Sequence, residues 1–256
     1  MSSALAGKKL LITREQSQAE ELKQLLVTYQ AEPIVTPLLR FDAIPFQDGT
    51  ALLSEIKQFD WIFFTSANTV HFFHQLTKAK PSDIPKKIAA VGEKTAKALQ
   101  EYGYHTDFIP TRYNGETLVH EFYEQYGRAS IAYLCGEKAR REIPDLLHKY
   151  RINFKKIVLY RTIKNEAMEG KLTQVVRNEK LDAILFTSPS TVEAFCDMVP
   201  DAILSNIKEQ YLVAAIGTTT ANTLHELKFQ HVIFPEKFTI EAMVHELATH
   251  FFKKNR

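Results

Sequence analysis

Five short turns in this chain carry residue types that could hold an anion. They read Thr65-Ser66-Ala67-Asn68, Gly92-Glu93-Lys94-Thr95, Gly136-Glu137-Lys138, Thr187-Ser188-Pro189-Ser190 and Gly217-Thr218-Thr219-Thr220. Each follows a short apolar run and opens a stretch with helical spacing. At such a junction the first backbone N–H groups lack internal acceptors, and the helix dipole adds partial positive charge. Carboxylates and phosphates bind there. Ordinary capping explains the same residues: Ser and Thr are common N-caps, and Ser190 stands in capping-box spacing with Glu193. Capping accounts for any one turn taken alone. Five turns at matched places also suggest a shared anion-binding cleft.

No familiar catalytic constellation accompanies these turns. The chain has no GxSxG, phosphate loop, GxGxxG, HExxH or kinase motif set. His71 and His74 share a helical face but have no third ligand at metal-binding spacing. His120 and His245 fall mid-helix, where packing is the simpler role. The two cysteines, Cys135 and Cys196, form no CxxC and read as buried, reduced thiols. Trp61 begins an apolar run and reads as core, and the closing FFKKNR as a solvated basic end.

The elements that must position the turns come in two copies. Asp60, Ile62, Phe64, Thr65, Ser66, Thr69, Val70 and Phe73 recur 122 positions later as Asp182, Ile184, Phe186, Thr187, Ser188, Thr191, Val192 and Phe195. AAVGEKTAKAL from residue 89 answers AAIGTTTANTL from residue 214. Glu116, Val119, His120 and Glu121 return as Glu241, Val244, His245 and Glu246. A repeat that keeps register over so many elements is a duplication. Within each copy, short β-branched and aromatic runs alternate with helical patterns. Strands are expected at 9–13, 33–37, 61–65, 88–91, 106–109, 131–135, 155–160, 183–187, 212–216 and 231–234. That rhythm implies two five-stranded parallel sheets, each a doubly wound, flavodoxin-like α/β layer. In such sheets ligands bind at the carboxyl ends of the strands, where the turns lie.

Composition narrows the classes. The 256 residues are 45% hydrophobic and 24% charged, as in globular proteins, with 32 Lys and Arg against 30 Asp and Glu. A net charge of +2 argues against bulk electrostatic binding of nucleic acid. No run approaches the roughly 18 apolar residues of a membrane span. The N-terminal MSSALAGKKLLITRE is too short in apolar core for a signal peptide, so a cytoplasmic protein is expected. No apolar surface stripe stands out, and a monomer is the default expectation.

Taken together, FTSANTV, AAVGEKTAKAL, LCGEKARREIPDLL, VLYRT, FTSPSTVEAF, AAIGTTTANTL and FTIEAMVHEL resemble the uroporphyrinogen-III synthase family, in order and over nearly the whole chain. The resemblance implies a crossover: residues 1–37 and 163–256 make one domain, and 42–158 an inserted second. Two extended linkers, 37–42 (PLLRFD) and 159–164 (LYRTIK), then run side by side. It also implies an activity. Hydroxymethylbilane, a linear tetrapyrrole with eight carboxylates, closes to uroporphyrinogen III with loss of water and inversion of ring D through a spiro intermediate. No cofactor and no metal take part. The bilane closes unaided to the uninverted isomer, so the protein must choose the product by holding one conformation.

On that resemblance Tyr160, in the VLYRT motif, is the expected donor to the leaving hydroxyl, with a purely structural linker tyrosine as the alternative. Thr95 and Thr219 match the family's two glycine-threonine turns, and Thr220 is the strict repeat partner of Thr95. These three are expected on substrate carboxylates, followed by Ser66, Asn68, Ser188 and Ser190. Arg14, after the first strand, and Lys138 are candidates for charge-assisted contacts. The three threonines after Gly217 blur which one acts, and Pro189 against Ala67 keeps the two turns from being identical. A two-lobed sensor for a small anion is the competing class. A nucleotide-binding enzyme would need a phosphate loop and a ribose-binding acid that the chain lacks.

Overall fold

The structure is a computed structural model that describes residues 2–46, 49–84 and 86–254. The end of the basic tail, Asn255 and Arg256, lies outside the described residues. The strands are β1 (Lys9–Ile12), β2 (Glu32–Val35), β3 (Leu39–Ala43), β4 (Trp61–Phe64), β5 (Lys87–Ala90), β6 (Ile131–Gly136), β7 (Phe154–Lys164), β8 (Ala183–Phe186), β9 (Leu212–Ala215) and β10 (His231–Ile233). The helices are α1 (Gln16–Thr28), α2 (Gly49–Ile56), α3 (Ala67–Thr77), α4 (Glu93–Glu101), α5 (Gly115–Tyr126), α6 (Glu142–Lys149), α7 (Glu169–Asn178), α8 (Pro189–Met198), α9 (Asp201–Gln210), α10 (Thr218–Glu226) and α11 (Ile240–Lys254). No helix among the described residues is long and apolar enough to cross a membrane.

The chain divides into two compact units, Met1–Arg40 with Ile163–Arg256, and Phe41–Thr162. In the first unit the sheet order is β10-β9-β8-β1-β2, with every assigned pair parallel. Side chains alternate across a strand, so one sheet serves two cores. Leu11, Ile184, Phe186 and Val213 face Leu172 and Val176 of α7, Val192 and Phe195 of α8, and Leu224 of α10. Leu10, Ile12, Leu185 and Ala214 face Leu22 and Leu26 of α1 and Met243, Val244 and Leu247 of α11. Burial on both faces is why these strands read as continuous apolar runs.

In the second unit the order is β3-β7-β6-β4-β5. Ile62, Phe64, Ile88, Leu134, Ile157 and Leu159 pack on Leu52 and Ile56 of α2, Val70 and Phe73 of α3, and Leu99 of α4. Trp61, Phe63, Ile131 and Tyr133 pack on Leu118, Val119 and Phe122 of α5 and on Ile143 and Leu147 of α6.

The two sheets have one plan with their halves exchanged. β6 and β7 are the repeat counterparts of β1 and β2, and β4 and β5 of β8 and β9. β1, from the first repeat, pairs with β8 of the second; β6, from the second, pairs with β4 of the first. Each unit therefore joins the front of one repeat to the back of the other.

Two expectations change. Residues 106–109 do not form a strand: Phe108 makes a single parallel bridge to Ala89, and Pro110 follows at once. The Phe108 ring still enters the core. The second sheet takes its fifth strand instead from β3, which overlaps the segment 37–42 expected as an extended linker. There Ile44 N donates to Leu159 O at 2.9 Å, so the linker backbone finds its partner along β7.

Candidate functional site

Strand order reverses between β4 and β6, since the chain leaves β4 for β5 on one side and β6 lies on the other. Such a switch point leaves a crevice at the carboxyl ends. A cavity of about 350 Å³ sits there, lined by Thr65 and Ser66 after β4, by Gly136 at the end of β6 with Lys138 and Arg140 beyond it, and by Tyr160 of β7. Glu142 and Thr162 also line it.

Ser66 caps α3. Its Oγ accepts from Thr69 N at 3.1 Å and lies 2.8 Å from Thr69 Oγ1. The Tyr160 hydroxyl stands 3.5 Å from the same Oγ, at the outer limit of a hydrogen bond. The Tyr160 ring stacks on Phe72 of α3 and meets Phe41 of β3 edge-on. Below it, Tyr133 is buried, and burial pushes its phenol pKa far up, so that residue stays neutral. The crevice thus presents one half-buried phenol, a capping serine, two cationic side chains and the Glu142 carboxylate.

The first unit has the equivalent switch point between β1 and β8. Thr13 Oγ1 donates to Leu185 O at 2.9 Å across it. Arg14 follows β1, with Nε donating to Gln18 at 3.1 Å. Burial lowers the Arg14 pKa, against the pull of Glu21 and Glu15. The sign means that its charge is poorly hydrated, so an anion beside it would be favoured. Ser188 caps α8 by accepting from Thr191 N at 3.3 Å and lies 3.1 Å from Ser190 Oγ. The cap is therefore Ser188, the repeat partner of Ser66, and not Ser190. Pro189, with no N–H to satisfy, occupies the first helical position.

The glycine-threonine turns open α4 and α10. Thr95 and Thr220 are both 3% exposed, whereas Thr219 faces solvent like its counterpart Lys94. Gly92 lies under the Tyr113 ring and Gly217 under Phe238, where an added Cβ would come within 2.8 and 2.7 Å. Tyr113 and Phe238 are each 58% exposed, so the duplication extends to how the turns are covered. Asn68 sits in the first turn of α3, outside the lining of the crevice cavity.

The structure thus brings Ser66, Lys138 and Tyr160 together. Thr65, from one of the five turns, joins them, as do Arg140, Thr162 and Tyr133, which were not singled out in the sequence. Thr162 lies in the VLYRT motif two residues from Tyr160, and the KARRE run held the signal for Arg140. His71 and His74 have structural roles: His71 Nδ1 bonds the Tyr102 hydroxyl at 3.0 Å and His74 stacks on the Tyr102 ring. Burial raises the thiol pKa of Cys135 and of Cys196, which leaves both unreactive at neutral pH.

Comparison with known proteins gives one direction. The family model described as "Uroporphyrinogen-III synthase HemD" matches residues 20–245. The chain is 30% identical over 253 residues to "Porphyrin biosynthesis protein HemD" of Ruminiclostridium josui, covering 96% of this chain but 49% of that protein. It spans about half the length of that relative. It is 27% identical to "Uroporphyrinogen-III synthase" of Synechococcus elongatus, covering 94% of each. The crystal structure of uroporphyrinogen-III synthetase from Helicobacter pylori 26695 shares the fold, with TM-score 0.65, 23% identity and coverage of 95% and 99%.

Proposed function

The chain belongs to the uroporphyrinogen-III synthase family, and from that premise we propose that it closes hydroxymethylbilane to uroporphyrinogen III, with loss of water and inversion of ring D. One observation carries the reading to particular residues: the second unit's switch-point crevice gathers Tyr160, Ser66 and Lys138, all three legible beforehand in family motifs. The bilane is reactive by itself, so the protein's task is to hold it in the productive conformation and ease departure of the hydroxyl.

In the proposed route the Tyr160 O–H hydrogen-bonds the hydroxymethyl oxygen. The C–O bond breaks as the pyrrole nitrogen pushes electrons in, and the tyrosine proton leaves with the oxygen as water. The resulting azafulvene is attacked by an already substituted carbon of ring D, which gives the spiro intermediate. That intermediate fragments and recloses with ring D inverted. The proton lost from the free α-carbon of ring D, when that carbon forms the closing bond, restores the phenol, so no net proton is consumed. Lys138, Arg14, Ser66, Asn68, Ser188, Ser190, Thr95, Thr219 and Thr220 are proposed as partners of substrate carboxylates, with helix-start N–H groups adding donors. The route calls on no cofactor. We further propose that the chain works as a monomer in the cytoplasm, without nucleic acid. The small net charge supports the absence of nucleic acid.

Purified protein added to freshly prepared hydroxymethylbilane tests the activity. Many equivalents of bilane should be consumed per protein, with type III porphyrin found after oxidation. Stoichiometric binding that leaves the bilane to close to type I would favour the anion-sensor class.

A further inference from the structure

β7 does not follow β6 in simple register. Cys135 pairs with Val158 and Gly136 then pairs with Tyr160, so Leu159 is an extra residue on the β7 side. A bulge of this kind re-aims the next side chain. Here that side chain is Tyr160, and it comes to rest against a glycine. A methyl group on Gly136 would stand 2.6 Å from the ring Cζ and 2.9 Å from the hydroxyl oxygen. Gly136 is not in the left-handed region, so its backbone would accept any residue; it is the phenol beside it that excludes a side chain. Phe72 stacks on the same ring, with centroids 4.8 Å apart and planes 19° apart. Phe41 closes the edge at 5.3 Å. Backbone, bulge and rings together leave the hydroxyl one position, beside Ser66 Oγ and inside the crevice cavity.

Resting on the reading of Tyr160 as hydroxyl donor, we propose that Gly136 and Phe72 are positioning residues for the cyclisation: Gly136 leaves the space the phenol occupies and Phe72 fixes the plane of its ring. Neither touches the reacting atoms. Each acts only through where the Tyr160 oxygen sits.

The test makes Gly136→Ala and Phe72→Leu in the wild-type chain and in a Tyr160→Phe background, and measures kcat and KM for type III formation. In the wild-type background each should lower kcat about tenfold, part of the roughly 10²-fold lost with the donor itself, with KM changed less than about twofold. In the Tyr160→Phe background each should cost less than about twofold, because no hydroxyl remains to misplace. Equal losses in both backgrounds would mark a structural role only and overturn the proposal, as would unchanged kcat. Thermal unfolding identifies a variant that fails to fold; should Gly136→Ala do so, Phe72→Leu carries the same comparison. A wild-type chain making no type III product would remove the functional reading itself, and a Tyr160→Phe chain with full kcat would remove the role of Tyr160. Either result also ends the positioning claim, by a different measurement.

Discussion

At the residue scale the account turns on a single hydroxyl. The Tyr160 phenol is half-buried, seated between Phe72, Phe41 and Gly136, and 3.5 Å from the Ser66 hydroxyl. Tyr160→Phe keeps all the ring contacts and deletes only the donor. It should slow type III formation by roughly 10²-fold, the lower end for a lost general acid, with the thermal midpoint unchanged. Stopped-flow consumption of the bilane would read this directly. The threonines divide by burial. Thr219 is exposed, so Thr219→Ala should cost about 1–3 kcal/mol in kcat/KM if it bonds a carboxylate, with stability untouched. Thr95 and Thr220 are buried in the first turns of α4 and α10. Their alanine variants should lower the denaturant midpoint as well as the rate. A rate loss without a stability loss at those two positions would contradict the burial.

At the element scale, most of the framework could be read from the sequence, because doubly covered parallel strands are short apolar runs with turns at both ends. β4 and β8 begin and end within a residue of expectation for that reason. The failures are equally physical. TDFI at 106–109 has strand-like residues, yet its pairing stops at one bridge, with Asp107 N and Phe108 N both donating to Ile88 O, and Pro110 ends the run. The resemblance implied an extended linker over 37–42 (PLLRFD); β3 overlaps it, and the edge of a sheet accepts its alternation of charged and apolar residues. The register shift at Leu159 has no composition signal at all, so the seat of Tyr160 could not be foreseen even though Tyr160 could. Capping also tests at this scale. Asn114 caps α5 by accepting from Thr117 N at 2.8 Å, next to Gly115, which lines the crevice cavity. Asn114→Ala should cost about 1 kcal/mol of stability, read from the denaturant midpoint, and Ser188→Ala should cost both stability and activity. Tyr104 links the segment after α4 to Ala79 O at 2.6 Å, and burial pushes its phenol up to about 12. Since the unfolded chain loses this proton near the ordinary value of 10.0, the folded state holds more protons between the two values. Its contribution is complete below pH 10 and is lost as pH rises toward 12. Tyr104→Phe should flatten that part of the alkaline unfolding profile.

At the scale of the molecule, duplication explains the architecture. The halves of two repeats are exchanged between two units, and each unit carries its own two-sided core and its own switch point. Residues 41–162 are contiguous and hold both core faces of the second sheet. A fragment of those residues should therefore fold cooperatively by circular dichroism yet form no type III product, because Arg14, Ser188 and Thr219 are missing. The most direct test is the partition of product isomers as protein is titrated into a fixed amount of hydroxymethylbilane, where unaided closure to type I competes at every point. The type III share should climb with wild-type protein until it is essentially the whole product, and Tyr160→Phe should need far more protein for the same share. A product that stays type I however much wild-type protein is added would contradict the account.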